Sequence, residues 1–220
     1  MPASEVYDEA GILTITPGST NPQITERGMK DIFRMCGRDD QQGAIAANYM
    51  LDVLKAKKIA VIHDKDTYGQ GLADATRAAL AKRGTKEVLY EGLSRGEKTL
   101  TPGDQDRRPQ AGRGLLWRLP SGSGPAGAPD ARAGVQAKFS GDCIVTEELV
   151  TAAGGQFTNG VLMTFGQDPR TLPDGKAVIE KFRASGFEPE GYTLYAYASI
   201  QAIAAAGTPS VPITPKPATG

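Results

Sequence analysis

Short apolar runs alternate with amphipathic segments along the first 93 residues. The apolar runs have the composition of buried strands and lie at 11–16, 58–63 and 87–93. Between the first two runs, apolar residues at helical spacing predict an amphipathic helix over 41–55. These residues are Ile45, Ala46, Tyr49, Met50, Val53 and Leu54. The apolar residues Leu72, Ala75, Ala79 and Leu80 predict a second helix. It is expected to close at Gly84, because glycine often terminates helices.

This order of strands and helices is typical of βαβ units, so the predicted fold class is α/β with a parallel sheet. Parallel sheets of this kind bind ligands outside the carboxyl ends of their strands. The loops expected at those ends are 17–22 and 64–71.

The stretch 101–134 interrupts this pattern. It holds seven Gly, five Pro, five Ala and five Arg, and it contains no Val, Ile, Phe, Tyr or Lys. A structureless insert of this length is unusual inside a compact α/β domain. We therefore predict that 101–134 lacks regular structure, as does the proline-rich tail 207–220. Between them, strands are predicted at 135–139 and 160–165, and helices at 147–153, 174–185 and 192–206.

Charge and residue counts exclude several function classes. Lys and Arg number 25, as do Asp and Glu, and this balance argues against a nucleic-acid partner. The two cysteines, Cys36 and Cys143, form no CxxC pair, and whether they interact stays open. With His63 as the single histidine, neither a usual zinc site nor a Ser-His-Asp hydrolase is expected. The start of the sequence has no apolar signal-peptide region.

Two motifs have plain explanations. Residues 122–127 match the G-x-G-x-x-G pattern, but no predicted strand leads into them, so no dinucleotide cofactor is expected. His63 closes a predicted strand and is interpreted as a polar strand-end residue, since a role in proton transfer lacks a partner in the sequence.

Polar residues at predicted strand ends are the better candidates for a site. The loop 17–22 offers hydroxyls and backbone groups that suit a carboxylate or an ammonium, although it also reads as a plain turn. Tyr68 either covers a small ligand or stacks on the surface. Asp142 either pairs with an ammonium or caps the next helix.

Several segments in order resemble the Leu/Ile/Val-binding proteins, the periplasmic receptors of branched-chain amino-acid ABC transporters. The resemblance covers 2–98 and 135–206, and it rests on four motifs. These are Ser4-Glu-Val-Tyr-Asp-Glu-Ala-Gly-Ile-Leu13, Thr16-Pro-Gly-Ser-Thr-Asn-Pro22, Ile59-Ala-Val-Ile-His-Asp-Lys65 with Tyr68-Gly-Gln-Gly71, and Gly92-Leu-Ser-Arg-Gly-Glu-Lys98.

The resemblance implies a type I periplasmic-binding fold of two Rossmann-like lobes with parallel sheets, incomplete in this chain. Residues 1–38 are then part of lobe 1, 39–165 form lobe 2, and 166–206 return to lobe 1. The ligand's carboxylate and ammonium are then held by the loop of Gly18, Ser19 and Thr20. Tyr68 contacts the ligand from lobe 2, and Asp142 pairs with the ammonium.

The function implied is amino-acid binding for an ABC transport system, with a membrane permease as partner. The chain is then a monomeric, non-enzymatic protein with no metal and no cofactor. The family is periplasmic, but the start of this sequence has no signal-peptide region, so the location of the chain itself stays open. The alternatives are a sensory ligand-binding domain of the same fold and an α/β enzyme that uses the crevice between the lobes. The lack of a nucleophile–base pair in the strand-end loops argues against the enzyme.

The family's opening βαβ units have no counterpart before Met1, and the stretch 101–134 departs from the family. We therefore expect a truncated copy of marginal stability that binds amino acids without high affinity, because a ligand needs both lobes.

The departure in 101–134 predicts a translated frameshift. At 116–123 the chain reads Leu-Trp-Arg-Leu-Pro-Ser-Gly-Ser, where the family has an aromatic loop of the form Tyr-Gly-Gly-x-x-Pro-Glu. One coding sequence for it, TTA TGG CGG CTT CCA TCC GGA AGC, encodes Tyr-Gly-Gly-Phe-His-Pro-Glu when read one base later. Sequencing the gene tests this prediction, and a frame without compensating insertions or deletions relative to its relatives contradicts it.

Overall fold

The computed structural model describes residues 2–92, 115–118, 138–142 and 162–207. The chain forms two compact units: unit 1 comprises Met1–Arg38 and Gly166–Gly220, and unit 2 comprises Asp39–Phe165. The described helices are α1 (Pro2–Glu9), α2 (Asp39–Asn48), α3 (Thr67–Lys82), α4 (Lys176–Ala184) and α5 (Thr193–Ala206). The described strands are β1 (Thr14–Thr16), β2 (Ile32–Arg34), β3 (Ile59–His63), β4 (Leu89–Gly92), β5 (Leu115–Arg118), β6 (Lys138–Asp142) and β7 (Leu162–Thr164).

Unit 1 is built around a parallel pair of strands. β1 and β2 pair in register from Thr14 opposite Ile32 to Thr16 opposite Arg34. α1 precedes them, and α5 contacts β1. Apolar burial in this unit comes from Ile32 of β2, Ile179 of α4 and Leu194 of α5.

Unit 2 contains a five-stranded parallel sheet in the order β4-β3-β5-β6-β7. Every residue of β3 is buried, as expected for an inner strand of a parallel sheet. The core joins this strand to α2 and α3. Its buried apolar residues are Ala46, Ala47, Met50, Ile59, Val61, Leu72, Ala73 and Leu80.

The face that α2 buries is set by a close approach to α3. A Cβ on Gly43 would lie 2.7 Å from the backbone N of Thr76 and 2.8 Å from the carbonyl carbon of Ala75. Residues three, four and seven positions after a helical residue share its face, so the face of Gly43 also contains Ala46, Ala47 and Met50. All of these are buried.

The predicted apolar stripe of 41–55 is therefore buried only in part. Ile45, Tyr49 and Val53 are exposed by 60%, 42% and 59%. They lie off the face that contains Gly43. The helix also ends earlier than predicted, because Tyr49–Val53 forms a π-helical turn.

The other described elements confirm much of the sequence prediction. β3 and β4 match the apolar runs at 58–63 and 87–93, and Gly84 follows α3 with a φ of 70°. The strand predicted at 11–16 shortens to β1 because Gly11, at φ 64°, turns the chain before it. The strand predicted at 135–139 lies three residues later, as β6.

The later predictions also hold, with small shifts in their bounds. The run at 160–165 contains β7, and the helices predicted at 174–185 and 192–206 are α4 and α5. Short 3-10 turns at Pro169–Thr171 and Pro173–Gly175 precede α4. The sequence prediction missed α1, β2 and the 3-10 turn Pro22–Ile24.

The prediction that 101–134 lacks regular structure is wrong at 115–118. These residues form β5, which pairs with β3 on one side and with β6 on the other. Leu115, Leu116 and Trp117 are an apolar run within the polar insert, and a place between two strands satisfies backbone groups on both edges. The remainder of 101–134, the helix predicted at 147–153 and the tail 208–220 lie outside the described residues.

Replacing Gly43 tests the contact between α2 and α3. We expect Gly43→Ala to lower the free energy of unfolding by about 1–3 kcal/mol, because the methyl group meets backbone atoms that cannot rotate away. Gly71→Ala in α3 is the matched control, since a Cβ there is in ordinary contact with Asp39 at 4.0 Å. It should stabilise by up to about 1 kcal/mol through the helix propensity of alanine. Urea unfolding of both variants measures the difference, and equal stabilities would contradict the contact.

Candidate functional site

The candidate residues lie at the carboxyl edges of the two sheets, each within its own unit. In unit 1, β1 ends at Thr16, and the loop with Gly18, Ser19 and Thr20 follows. In unit 2, Tyr68 lies in the first turn of α3, directly after β3, and Asp142 is the last residue of β6. This edge is where parallel sheets bind ligands.

The loop of unit 1 is fixed by the strand that precedes it. The hydroxyl Oγ1 of Thr16 accepts hydrogen bonds from the backbone N of Ser19 at 3.0 Å and of Gly18 at 3.4 Å. The ring of Tyr192 packs 3.9 Å from the position a Cβ on Gly18 would take. Thr20 is 6% exposed and is thus the most buried residue of the loop. The loop is an ordered turn in which Thr20 is shielded from solvent.

Arg34 holds the same loop from β2. Its guanidinium donates to the carbonyl oxygens of Ser19 at 3.0 Å, of Asn21 at 2.8 Å and of Pro22 at 3.4 Å, and to the hydroxyl of Thr25 at 2.7 Å. Sequence reasoning missed this residue. The one local signal is a charged residue that ends the short apolar run Ile-Phe, and the acceptors lie 9 to 15 positions away along the chain.

Cys36 lies beside this loop. Its Sγ lies 3.7 Å from the carbonyl oxygen of Ser19, the same oxygen that Arg34 contacts. Cys143 lies outside the described residues.

A tight turn positions Tyr68 in unit 2. Asp66 is the N-cap of α3, and its carboxylate accepts from the backbone N of Thr67 at 2.6 Å. Asp64 accepts from the backbone N of Asp66 at 3.1 Å, and Lys65 between them has a φ of 63°. A Cβ on Gly69 would collide with the carboxylate of Asp64, so the turn lies directly on the helix. Tyr68 is 37% exposed and therefore partly accessible to a ligand.

His63 has the surroundings of a structural residue. Its Nδ1 accepts from the backbone N of Lys65 at 3.1 Å, and its ring packs against Tyr90 with centroids 5.2 Å apart. Tyr90 donates in turn to Asp74 at 2.6 Å. Burial, and then this hydrogen bond, raise the pKa of the Tyr90 hydroxyl above its ordinary value. The structure thus favours the interpretation of His63 as a polar strand-end residue.

The end of β7 is tied to α2 within unit 2. Thr164 lies opposite Asp142 in the sheet, so it marks the neighbouring strand at the same edge. Gln42 donates from Nε2 to the carbonyl oxygen of Thr164 at 3.1 Å and to its hydroxyl at 2.8 Å. This contact fixes the strand next to the one that ends in Asp142.

Neither a metal site nor a membrane span is found in the described part of the chain. No group of three or more His, Cys, Asp or Glu side chains there could hold a metal ion. None of the described helices is both long and apolar enough to cross a membrane.

Curated relatives of this chain include amino-acid-binding proteins. It is 64% identical over 209 residues to an amino acid binding protein of Pseudomonas aeruginosa. It is 51% identical, also over 209 residues, to Leu/Ile/Val-binding protein homolog 1 of Brucella suis. The chain is a homologue of the Leu/Ile/Val-binding proteins. Both alignments cover 94% of this chain and 56% of the relative, so the chain spans just over half the length of these homologues. No protein-family model matches it.

Solved structures confirm the fold of the chain. The leucine binding protein of Thermotoga maritima matches with a TM-score of 0.78 at 21% identity, over 92% of this chain and 59% of that one. A branched-chain amino acid transporter substrate-binding protein of Streptococcus pneumoniae, solved with isoleucine, matches with a TM-score of 0.77 at 22% identity, over 93% and 60%. The predicted α/β class of type I periplasmic binding proteins is correct.

Removing the cap of α3 tests how firmly Tyr68 is positioned. Asp66→Ala removes the side-chain acceptor of the Thr67 amide, and we expect it to lower the free energy of unfolding by about 1 kcal/mol. Asp66→Asn keeps an acceptor oxygen and should cost less. Urea unfolding combined with amide exchange in the first turn of α3 checks both variants. Equal losses in the two would show that the cap does not hold this turn.

Proposed function

We propose that the chain is an amino-acid-binding component of an ABC transport system for branched-chain or related amino acids. The observation that carries this proposal is the ordered polar loop at the end of β1, in a homologue of the Leu/Ile/Val-binding proteins. Two of the structural neighbours were solved with isoleucine and with valine, respectively. In this proposal the chain binds rather than converts its ligand, as a monomer in the periplasm, and delivers it to a membrane permease.

The loop of unit 1 suits the α-carboxylate of an amino acid. Backbone N–H groups and hydroxyls are the donors that an anion needs, and Gly18, Ser19 and Thr20 supply both kinds. The burial of Thr20 supports the assignment, since hydrogen bonds to a charged group are stronger where water is excluded.

The carboxyl edge of unit 2 suits the α-ammonium and the side chain. Asp142 ends an inner strand of the sheet, where a carboxylate can pair with a cation. Tyr68 offers an aromatic ring that is partly exposed at the start of α3. We propose that these two residues are the amino-acid-binding residues of unit 2.

The two compact units support a related proposal about domains. We infer that 1–38 with 166–206 is lobe 1 and that 39–165 is lobe 2, with the chain crossing near 37–40 and near Phe165. The unit boundaries fall at Arg38 and Phe165. Receptors of this type respond to a ligand through a shift between open and closed states.

Leucine and two analogues test the proposed function. Isotope-labelled protein is titrated with leucine to millimolar concentration, and amide shifts of 18–20 and 138–142 are followed. We expect saturable shifts in both groups with leucine. Isoamylamine, which lacks the carboxylate, should leave 18–20 unchanged, and 4-methylpentanoate, which lacks the ammonium, should leave 138–142 unchanged. A response to NAD or ATP instead of leucine would contradict the proposal.

Asp142→Ala tests the ammonium partner by itself. Loss of a buried, hydrogen-bonded charge pair typically costs about 2–5 kcal/mol of binding free energy, so leucine binding should fall below detection. Tyr90→Phe is a control, because its hydroxyl bonds to Asp74 on α3 rather than to a candidate site residue. Unchanged leucine affinity in Asp142→Ala by titration calorimetry would refute this role of Asp142.

A further inference from the structure

Arg34 directs four hydrogen bonds into one segment. Its guanidinium reaches three carbonyl oxygens and one hydroxyl, all between residues 19 and 25. A guanidinium is a rigid, planar group with five donors, so these bonds fix several peptide planes at once. Arg34 belongs to β2, which is paired with β1, and therefore ties the loop to the sheet of unit 1.

The bond to Ser19 also determines where the next amide points. The described residues contain no cis peptide bond, and in a trans peptide the C=O and the N–H point in opposite directions. Because the carbonyl oxygen of Ser19 faces the guanidinium, the N–H of Thr20 faces away from it. Within the described residues, no hydrogen bond from this N–H is found, although Thr20 is buried. An amide without a partner in a buried residue is free to donate to an acceptor outside the loop.

We propose that Arg34 is a positioning residue that holds the Ser19–Thr20 peptide so that the Thr20 N–H donates to the carboxylate of the ligand. The identity of the ligand rests on the proposed function, whereas the hold of Arg34 on the loop does not. The positive charge also polarises the peptide whose oxygen it contacts, which strengthens the opposite N–H as a donor. Lysine cannot replace it, because one ammonium does not reach four acceptors spread over seven residues.

The other bonds explain why the peptide keeps this orientation. Asn21 accepts from the backbone N of Gln23 at 2.9 Å and starts the 3-10 turn Pro22–Ile24. Arg34 contacts the carbonyl oxygens of Asn21 and Pro22 at that same turn. On the other side of Thr20, the Ser19 amide is bound by Thr16. Thr20 thus lies between two residues that are bonded to the sheet. Ser19 is bonded to Thr16 of β1, and Asn21 is bonded to Arg34 of β2.

Amide exchange tests the hold on the loop without any ligand. In the 220-residue chain, Arg34→Met should accelerate exchange of the Ser19 and Gln23 amides by about tenfold, because hydrogen bonds from a charged donor are lost. The amides of β3, in unit 2, should not change. Arg170→Met is the matched control, since this arginine of unit 1 contacts Asp168 and Pro189 and not the loop. Arg34→Lys should resemble Arg34→Met.

Chemical rescue separates positioning from a general loss of stability. Methylguanidinium at low millimolar concentration should restore slow exchange of Ser19 and Gln23 in Arg34→Ala, while methylammonium should not. Unchanged exchange in Arg34→Met would overturn the proposal. So would faster exchange spread evenly over unit 1 and insensitive to methylguanidinium.

Leucine titration separates this proposal from the proposed function. In Arg34→Met, the Thr20 amide shift caused by leucine should be lost, and it should return with methylguanidinium in Arg34→Ala. If the unaltered chain shows no leucine response while the exchange results hold, the proposed function fails and the hold of Arg34 on the loop stands. If leucine shifts the Thr20 amide equally in Arg34→Met and in the unaltered chain, the positioning role is wrong and the proposed function stands.

Discussion

The contact of α2 with α3 at Gly43 determines how unit 2 is built. Backbone atoms of the two helices come so close that no side chain fits between them. This approach turns the face with Ala46, Ala47 and Met50 inward, where it covers β3. Because β3 lies between β4 and β5 in the sheet, its position also sets the edge from which α3 and Tyr68 start. The absence of a side chain at Gly43 therefore bears on the position of Tyr68 as well as on the packing of the core.

In the described part of unit 1, hydrogen bonds hold the loop after the first strand. Its sheet has two described strands, and the loop after β1 is held by hydrogen bonds from Thr16 and Arg34. Unit 2 orders its own loop by different means, with Asp66 capping α3 and Asp64 lying against Gly69. In both units, the polar residues after a strand first satisfy the backbone of their own turn. The Thr20 amide has no such partner among the described residues, and our proposal assigns it to the ligand.

Local patterns predicted the elements whose causes are local. The apolar run of β3 and the glycine after α3 could be read from neighbouring residues, and the family motifs located Gly18, Ser19, Thr20, Tyr68 and Asp142 in the sequence. The buried face of α2 could not be read in the same way, because Ile45 and Met50 fit the same helical stripe until the position of α3 is known. β5 was hidden by the average composition of 101–134. Arg34 was missed because its hydrogen-bond acceptors lie in the segment after β1, 9 to 15 positions away from Arg34 along the chain.

The place of β5 in the sheet has a consequence for folding. β3 pairs with β4 from residue 89 onward and with β5 from residue 115 onward, so the second pairing closes a loop about twice as long. Each doubling of a flexible loop costs only about 0.6 kcal/mol of closure entropy. The length of chain between β4 and β5 is thus a weak determinant of whether the sheet forms. What matters more is that the chain supplies four residues, Leu115–Arg118, that form a strand between β3 and β6.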